Sequence, residues 1–261
     1  MPRSARWKQR RQDRLMDPSD GGAGGGYASV RGAYESLGAE GFYAAHGAVY
    51  HNPHEKVLVE GVSMALDQWE ARHGFSPFAA SKAPVRVLDL ACGGGEATVA
   101  LEACLRRRAD CLLPEFDACD PYTAECYRQR TGRTAHDWSF ADVASGVLQG
   151  RPRYDVVVAS FCLHLLDGPS LDRTLTALAR SARYLLVASP HRRLVIEPST
   201  GWDECTPEVV HHDRFADTGS ARHRVRIRMY SSSQLTAQHA LLGERPARDT
   251  QGAPRDPVER R

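Results

Sequence analysis

The stretch VLDLACGGGEAT, residues 87–98, decides the fold of this chain. Val87, Leu88 and Leu90 flank a lone acid, Asp89; then come Ala91, Cys92 and three glycines, and EATVALEACLRRR (96–108) reads as a helix. An apolar strand that ends in a glycine turn and opens into a helix is a junction of an α/β sheet. Without Cβ atoms, the turn lets backbone N–H groups come close to a ligand. A glycine loop also serves dinucleotide enzymes, but their fingerprint asks for G-x-G-x-x-G, and Thr98 stands where the third glycine belongs. Asp89, at the strand end, would repel a pyrophosphate and suit a cationic ligand with an amino group. A nicotinamide-dependent oxidoreductase is therefore the weaker alternative.

Working outward, strands and helices alternate, the pattern of a mostly parallel sheet with crossover helices on both faces. VRVLDLA (85–91) is the first predicted strand, and the helix at 96–108 turns Val99, Leu101 and Leu105 inward. FDACD (116–120) is strand-like, and TAECYRQRTG (123–132) is a helix stopped by Gly132. YDVVVASF (154–161) is a β-branched strand; SLDRTLTALARSA (170–182) is a helix with leucines at 171, 175 and 178; ARYLLVAS (182–189) is the next strand. Upstream, Asn52-Pro53-His54-Glu55 has the form of an N-cap, a proline at the first helical position and an early acid. A helix over about 53–73 follows, with Val57, Val62, Leu66 and Trp69 inward. Before it, Tyr43, His46 and Tyr50 recur at helical spacing on one face.

These elements divide the chain into a basic, glycine-rich tail expected to be disordered (1–26), an N-terminal helical lid (27–83), the α/β domain (84–243) and a second disordered tail (244–261). SSSQLTAQHALLGE (231–244) reads as the last helix, with Ser233 as its cap, and no strand pair follows it. The closing hairpin of the sheet is therefore expected to be shortened or missing. RHRVRIRMY (222–230) alternates and would be a substitute edge strand with four arginines on one face. That face reads as solvated with acid partners, or as a surface for an anionic substrate or RNA.

Composition narrows the classes. With 42% hydrophobic and 25% charged residues, the chain is globular in character, and no apolar run reaches the roughly 18 residues of a membrane span. The net charge of +2 is too balanced to argue for nucleic acid on its own. Seven cysteines, with no CxxC pair and no apolar leader, suggest reduced thiols in a cytoplasmic protein; the basic start leaves a nuclear or organellar address open. The run at 104, 111, 119 and 126 lacks the close ligand pairs of structural zinc, so no metal is expected.

The residues around the glycine loop resemble the first motif of the class I, Rossmann-like, seven-strand S-adenosylmethionine-dependent methyltransferases. Asp89 through Gly95 stand for the acid and the G-x-G-x-G loop, with Ala91 in the first glycine position. Later landmarks follow in the family's order. Asp120 ends the second strand where a ribose-binding acid is implied, Asp142 in SFADVASG follows a third strand where an adenine-side acid is implied, and Tyr154-Asp155 opens the fourth. The resemblance covers about 84–190. It implies S-adenosylmethionine as cofactor, held by Asp89, Ala91, Gly93, Gly95, Asp120, Asp142 and Ser160. Each acid has a plainer reading: Asp89 as a cap of the loop, Asp120 and Asp142 as helix N-caps. Tyr122 or Phe140 would pack on the adenine, or belong to the core.

Methyl transfer is an in-line displacement in which the enzyme mostly positions the nucleophile. His164, just past the fourth strand, is the candidate base, with packing in the following helix as the alternative. Tyr43, His46 and Tyr50 on the lid, and His191 and Arg192 after the fifth strand, are candidates for substrate contact. No amide-binding N/D-P-P-Y/F/W tetrapeptide follows the fourth strand, where Ser160-Phe161-Cys162-Leu163 stands instead. The expected acceptor is a small molecule. RNA, protein, or a non-catalytic cofactor-binding scaffold of the same fold are the alternatives, and no membrane partner is expected.

Overall fold

The computed structural model describes residues 41, 43, 55–74, 84–108, 114–189, 194–206, 208–213 and 223–235. In chain order the elements are α1 (Glu55–His73), β1 (Arg86–Leu90), α2 (Glu96–Arg106), β2 (Glu115–Cys119), α3 (Ala124–Thr131), α4 (Phe140–Ala144), β3 (Tyr154–Ser160), α5 (Gly168–Ser181), β4 (Ala182–Ser189), β5 (Trp202–Glu204), β6 (Val209–Asp213) and β7 (His223–Ser232). The sheet runs β2-β1-β3-β4-β7-β5, with β6 also on β7. β2, β1, β3 and β4 are parallel, and β7 enters antiparallel to β4. β5 pairs with Tyr230–Ser232 and β6 with His223–Ile227, so the two lie end to end along the free edge of β7. This is a Rossmann-like doubly wound α/β fold.

Alternation along each strand builds the two cores. Val87, Val156, Val158, Leu186, Ile227 and Met229 face α1 and α2 on one side. Leu88, Val157, Ala159, Leu185, Val187 and Tyr230 face α4 and α5 on the other. α1 buries Val57, Val62, Leu66 and Trp69, the four residues its periodicity turns inward, and adds Leu58 and Ala65. It is thus a layer of the sheet domain, packed on α2 and over β6 and β7. α5 begins where Asp167 accepts the Ser170 N–H at 2.8 Å, and Leu171, Leu175 and Leu178 are buried. α3 ends at Gly132, in the left-handed conformation (φ 70°) expected of a C-terminal stop. Between β2 and Asp142, where the resemblance implies a third strand, the described residues show a single parallel bridge between His136 and Cys119 on the outer edge of β2.

The far edge corrects the sequence reading. The antiparallel closing strands are present, and 223–232 is an interior strand: β4 occupies one of its edges, β5 and β6 the other. The strand continues through Ser232, and a helical turn starts at Ser233; residues 236–244 lie outside the described residues. The described half of the arginine face has the acid partners of one reading, and Arg228 is withdrawn from solvent. Arg228 is 2% exposed, donates to the Leu194 carbonyl, and lies 3.6 Å from Glu208 and 4.0 Å from Glu204. Arg226 pairs with Glu208. The acid partners come from β5 and the residue before β6, which only the fold brings alongside. Arg222 and the Arg224 side chain lie outside the described residues.

Candidate functional site

β1 delivers Asp89 to the base of the glycine turn, where it is completely buried. One carboxylate oxygen accepts the Thr98 N–H at 3.1 Å and the Thr98 hydroxyl at 2.7 Å. The Thr98 hydroxyl lies 3.2 Å from the Tyr127 hydroxyl. Thr98 is the third residue of α2, whose N-cap, Gly95, offers no side-chain cap. Asp89 therefore caps α2 from the neighbouring strand, the plainer of its two readings. The residue at the missing third glycine is the partner that fastens the turn. Gly95 has φ 86°, and a Cβ there would come within 2.8 Å of the Thr131 methyl and 3.0 Å of the Tyr127 ring, so its role is the close approach of α2 to α3. Burial pushes the Asp89 pKa up to about 7, against the Thr98 hydrogen bonds, and the charges of Glu96 and Asp120 add to the rise.

Asp120 leaves the end of β2 and is 8% exposed. Its Oδ1 accepts the Tyr122 and Thr123 N–H groups at 2.9 and 3.1 Å, and its Oδ2 accepts the Gly93 N–H at 3.2 Å. It is both the turn cap of one reading and a strut joining the second strand end to the glycine loop.

A cavity opens over the C-terminal ends of β1, β2 and β3, where the chain order reverses between β1 and β3. Ala91, Gly93, Asp120 and Ser160, all expected from sequence, line it. Tyr122 and Phe140 join Trp138 and Phe161 in its aromatic wall, and Tyr43 reaches it from the segment before α1. Trp138 is braced by the parallel His136 ring at 3.8 Å and the Arg151 guanidinium at 4.3 Å. Phe161 holds a positive φ of 54° while donating its N–H to the Ala188 carbonyl, a constrained turn just after β3. Among the described residues lining the cavity none is cationic, whereas Glu96 and Asp120 are acidic. Cys92 and Cys162 also line it, and burial raises both thiol pKa values far above the ordinary thiol range, so they are neither thiolate nucleophiles nor metal ligands near neutral pH.

Other expected residues lie elsewhere. Asp89 and Gly95 support the loop from beneath and do not line the cavity. Asp142 is exposed and completes a capping box with Ser139, accepting its N–H at 2.8 Å and its hydroxyl at 2.6 Å. His164 is exposed in a short 3-10 turn; Leu165, its neighbour, lines the cavity. His46, Tyr50, His191 and Arg192 lie outside the described residues. Sequence reasoning missed Glu96, Thr98 and Trp138. For Glu96 a signal existed: it shares the helical row of Ala100 and Cys104, the core face of α2. Among the described residues no group of three or more His, Cys, Asp or Glu could hold a metal, and no helix is long and apolar enough to cross a membrane.

No protein-family model matches the chain. Solved structures similar to it include magnesium protoporphyrin IX methyltransferase from Synechocystis PCC 6803 with bound S-adenosylmethionine, at 17% identity and TM-score 0.43 over 78% of this chain and 95% of that one. A putative RNA methyltransferase from Pyrococcus horikoshii is similar at 12% identity and TM-score 0.44 over 70% of this chain and 86% of that one. In sequence, the uncharacterized protein C17A5.05c of Schizosaccharomyces pombe is 32% identical over 209 residues, 67% of this chain and 83% of the yeast protein. With that much of the yeast protein covered at that identity, the chain belongs to the family of C17A5.05c.

Proposed function

We propose that the chain is an S-adenosylmethionine-dependent methyltransferase acting on a small molecule. The observation that carries this reading is the chemistry of the cavity wall: aromatic side chains, two acids and no described base, at the switch point of the sheet. A pyrophosphate would meet Glu96 and Asp120 with no cation among the described lining residues, whereas an adenosine bearing a cationic tail suits both the rings and the acids. The residues fit the cofactor. Asp120 would take the ribose hydroxyls, with Tyr122, Trp138 and Phe140 around the adenine and the Ala91–Gly93 turn against the amino-acid end. The bound cofactor supplies an electrophilic methyl carbon on its sulfonium.

The chain's own part is positioning. Ser160 at the end of β3 and Phe161 just after it stand beside the cavity with Tyr43, and the acceptor enters among them. His46, Tyr50, His191, Arg192 and His164 stay as candidates for acceptor contact or proton removal. The small-molecule reading is favoured over RNA because Arg226 and Arg228 already pair with Glu204 and Glu208 and offer no row of free cations to phosphates. The antiparallel strands beyond β4 favour an enzyme over a degenerate scaffold.

Isothermal titration with S-adenosylmethionine and S-adenosylhomocysteine tests the reading. Saturable binding by the full chain is expected. It should be lost in Gly93→Val, because Gly93 lines the cavity at φ 55°, a conformation a β-branched residue resists. No binding by the wild type would refute it. Turnover with labelled cofactor against small-molecule extracts, tRNA and protein then sorts the acceptor classes.

A further inference from the structure

We infer that the groove between α4 and α5 is a docking site for an acidic amphipathic helix of a partner protein. The groove is separate from the cavity over the glycine loop and encloses about 300 Å3. Val143 of α4 and Leu148 of the loop after it, both buried, form its floor with Ala177 of α5. One face of α5 makes its rim. Arg173, Thr176, Ala177 and Arg180 stand at i, i+3, i+4 and i+7 along the helix, while Leu171, Leu175 and Leu178 take the face turned to the sheet. Small residues in the middle of that row and long cations at its ends leave an apolar trough with a positive charge at each end. α4 is common to both places, with Phe140 on the cavity wall and Val143 in the groove.

The charge of the rim selects the occupant. Arg173 and Arg180 are both exposed. The Arg173 guanidinium donates to the Ser170 hydroxyl at 3.3 Å, and among the described residues neither arginine forms an ion pair. The described lining holds a single acid, Asp172. Seven residues of helix span about 10 Å, so acids at i and i+7 of a docked helix match the two arginines. Apolar residues at i+3 and i+4 of the same helix then lie over Val143, Leu148 and Ala177, the helix-in-groove mode of recognition. The chain's own ends are poor occupants. Residues 1–16 hold six Arg/Lys and one Asp, and residues 236–261 hold five arginines against four acids. A second copy facing the groove across a two-fold axis would set Arg173 and Arg180 against the same two cations.

The test is fluorescence anisotropy of the full chain with two labelled helical peptides. Both carry leucine at i+3 and i+4 on an alanine background; one has Glu at i and i+7, the other Lys. The wild type should bind the Glu peptide saturably and about tenfold more tightly than the Lys peptide, the scale of two partly exposed ion pairs, with a preference that shrinks as salt is added. The double variant Arg173→Glu, Arg180→Glu should invert the preference. Thr176→Trp, which fills the middle of the trough and leaves both cations, should abolish binding of the Glu peptide. These side chains are exposed or half-buried, so thermal unfolding of the variants should match the wild type and separates a lost surface from a lost fold. Equal binding of the two peptides by the wild type, an unchanged preference in the double variant, or binding untouched by Thr176→Trp would each overturn the proposal. No binding of the Glu peptide would also overturn it, and is the outcome expected where residues 236–261 cover the groove. Self-association of the wild type that the double variant loses would overturn it in favour of a second copy.

Discussion

Asp89 should make this protein less stable as the pH rises. The carboxyl is fully buried, receives two hydrogen bonds from Thr98 on one oxygen, and has no partner for Oδ1 among the described residues. Burial pushes its pKa up to about 7 from 3.8. The folded chain therefore keeps a proton that the unfolded chain releases above about pH 4. Stability falls between about pH 4 and 7, then levels off. Each pH unit inside that window costs about 1.4 kcal/mol, so the group should remove roughly 2.5 kcal/mol between pH 5 and pH 8. Asp89→Asn keeps the shape and an oxygen to accept from Thr98, and it cannot ionise. Urea unfolding of both proteins at pH 5 and pH 8 measures the effect as a double difference that cancels every other titrating group. The wild type should lose roughly 2.5 kcal/mol more than the variant across that interval. Equal losses, or a wild type that gains on the variant as pH rises, would refute the argument that an ionised Asp89 is penalised by burial.

Ala91 holds a φ of 51° without being glycine. Ala91→Gly should relieve about 1–2 kcal/mol of left-handed strain and give back part of it in unfolded-chain entropy, for a net gain of about 0.5–1 kcal/mol in thermal unfolding. Arg228→Ala should cost about 3 kcal/mol in urea unfolding, because it removes the buried cation that Glu204 and the Leu194 carbonyl face and leaves Glu208 with Arg226 alone. Replacing Arg228 by Met, which fills the space but abandons the same acids, should restore little of that loss.

Much of the architecture was open to reading because it is written in short-range patterns. Val156 and Val157 fall on opposite faces of one strand because β-strand side chains alternate, and the inward row of α1 follows from helical spacing. Gly132 stops α3 through its own backbone freedom. The loop residues Ala91 and Gly93 and the strand-end residues Asp120 and Ser160 line one cavity because the turns that follow parallel strands gather at one edge of the sheet.

The far edge was misread because its strands carry weak local signals. β5 is three residues long, β6 contains two histidines and an acid, and β7 alternates arginine with apolar residues as a surface strand would. Only strand pairing brings Glu204 and Glu208 beside Arg226 and Arg228 and buries Arg228 among them.

The same division runs through the site. The sequence by itself determined that a glycine turn follows a buried strand carrying an acid, that a second acid ends the next strand, and that the sheet is parallel there. Spacing and residue type suffice for these, since they depend on neighbours along the chain. The tertiary structure decided which acid does what. Asp89 faces Thr98 nine residues on, Asp120 faces Gly93 from another strand, Asp142 turns back to Ser139, and Glu96 joins Asp120 at the cavity wall with Arg130 3.9 Å away. A carboxylate's role follows from the donors within about 3 Å of its oxygens and from the water it has lost, and the packing of separate elements sets both.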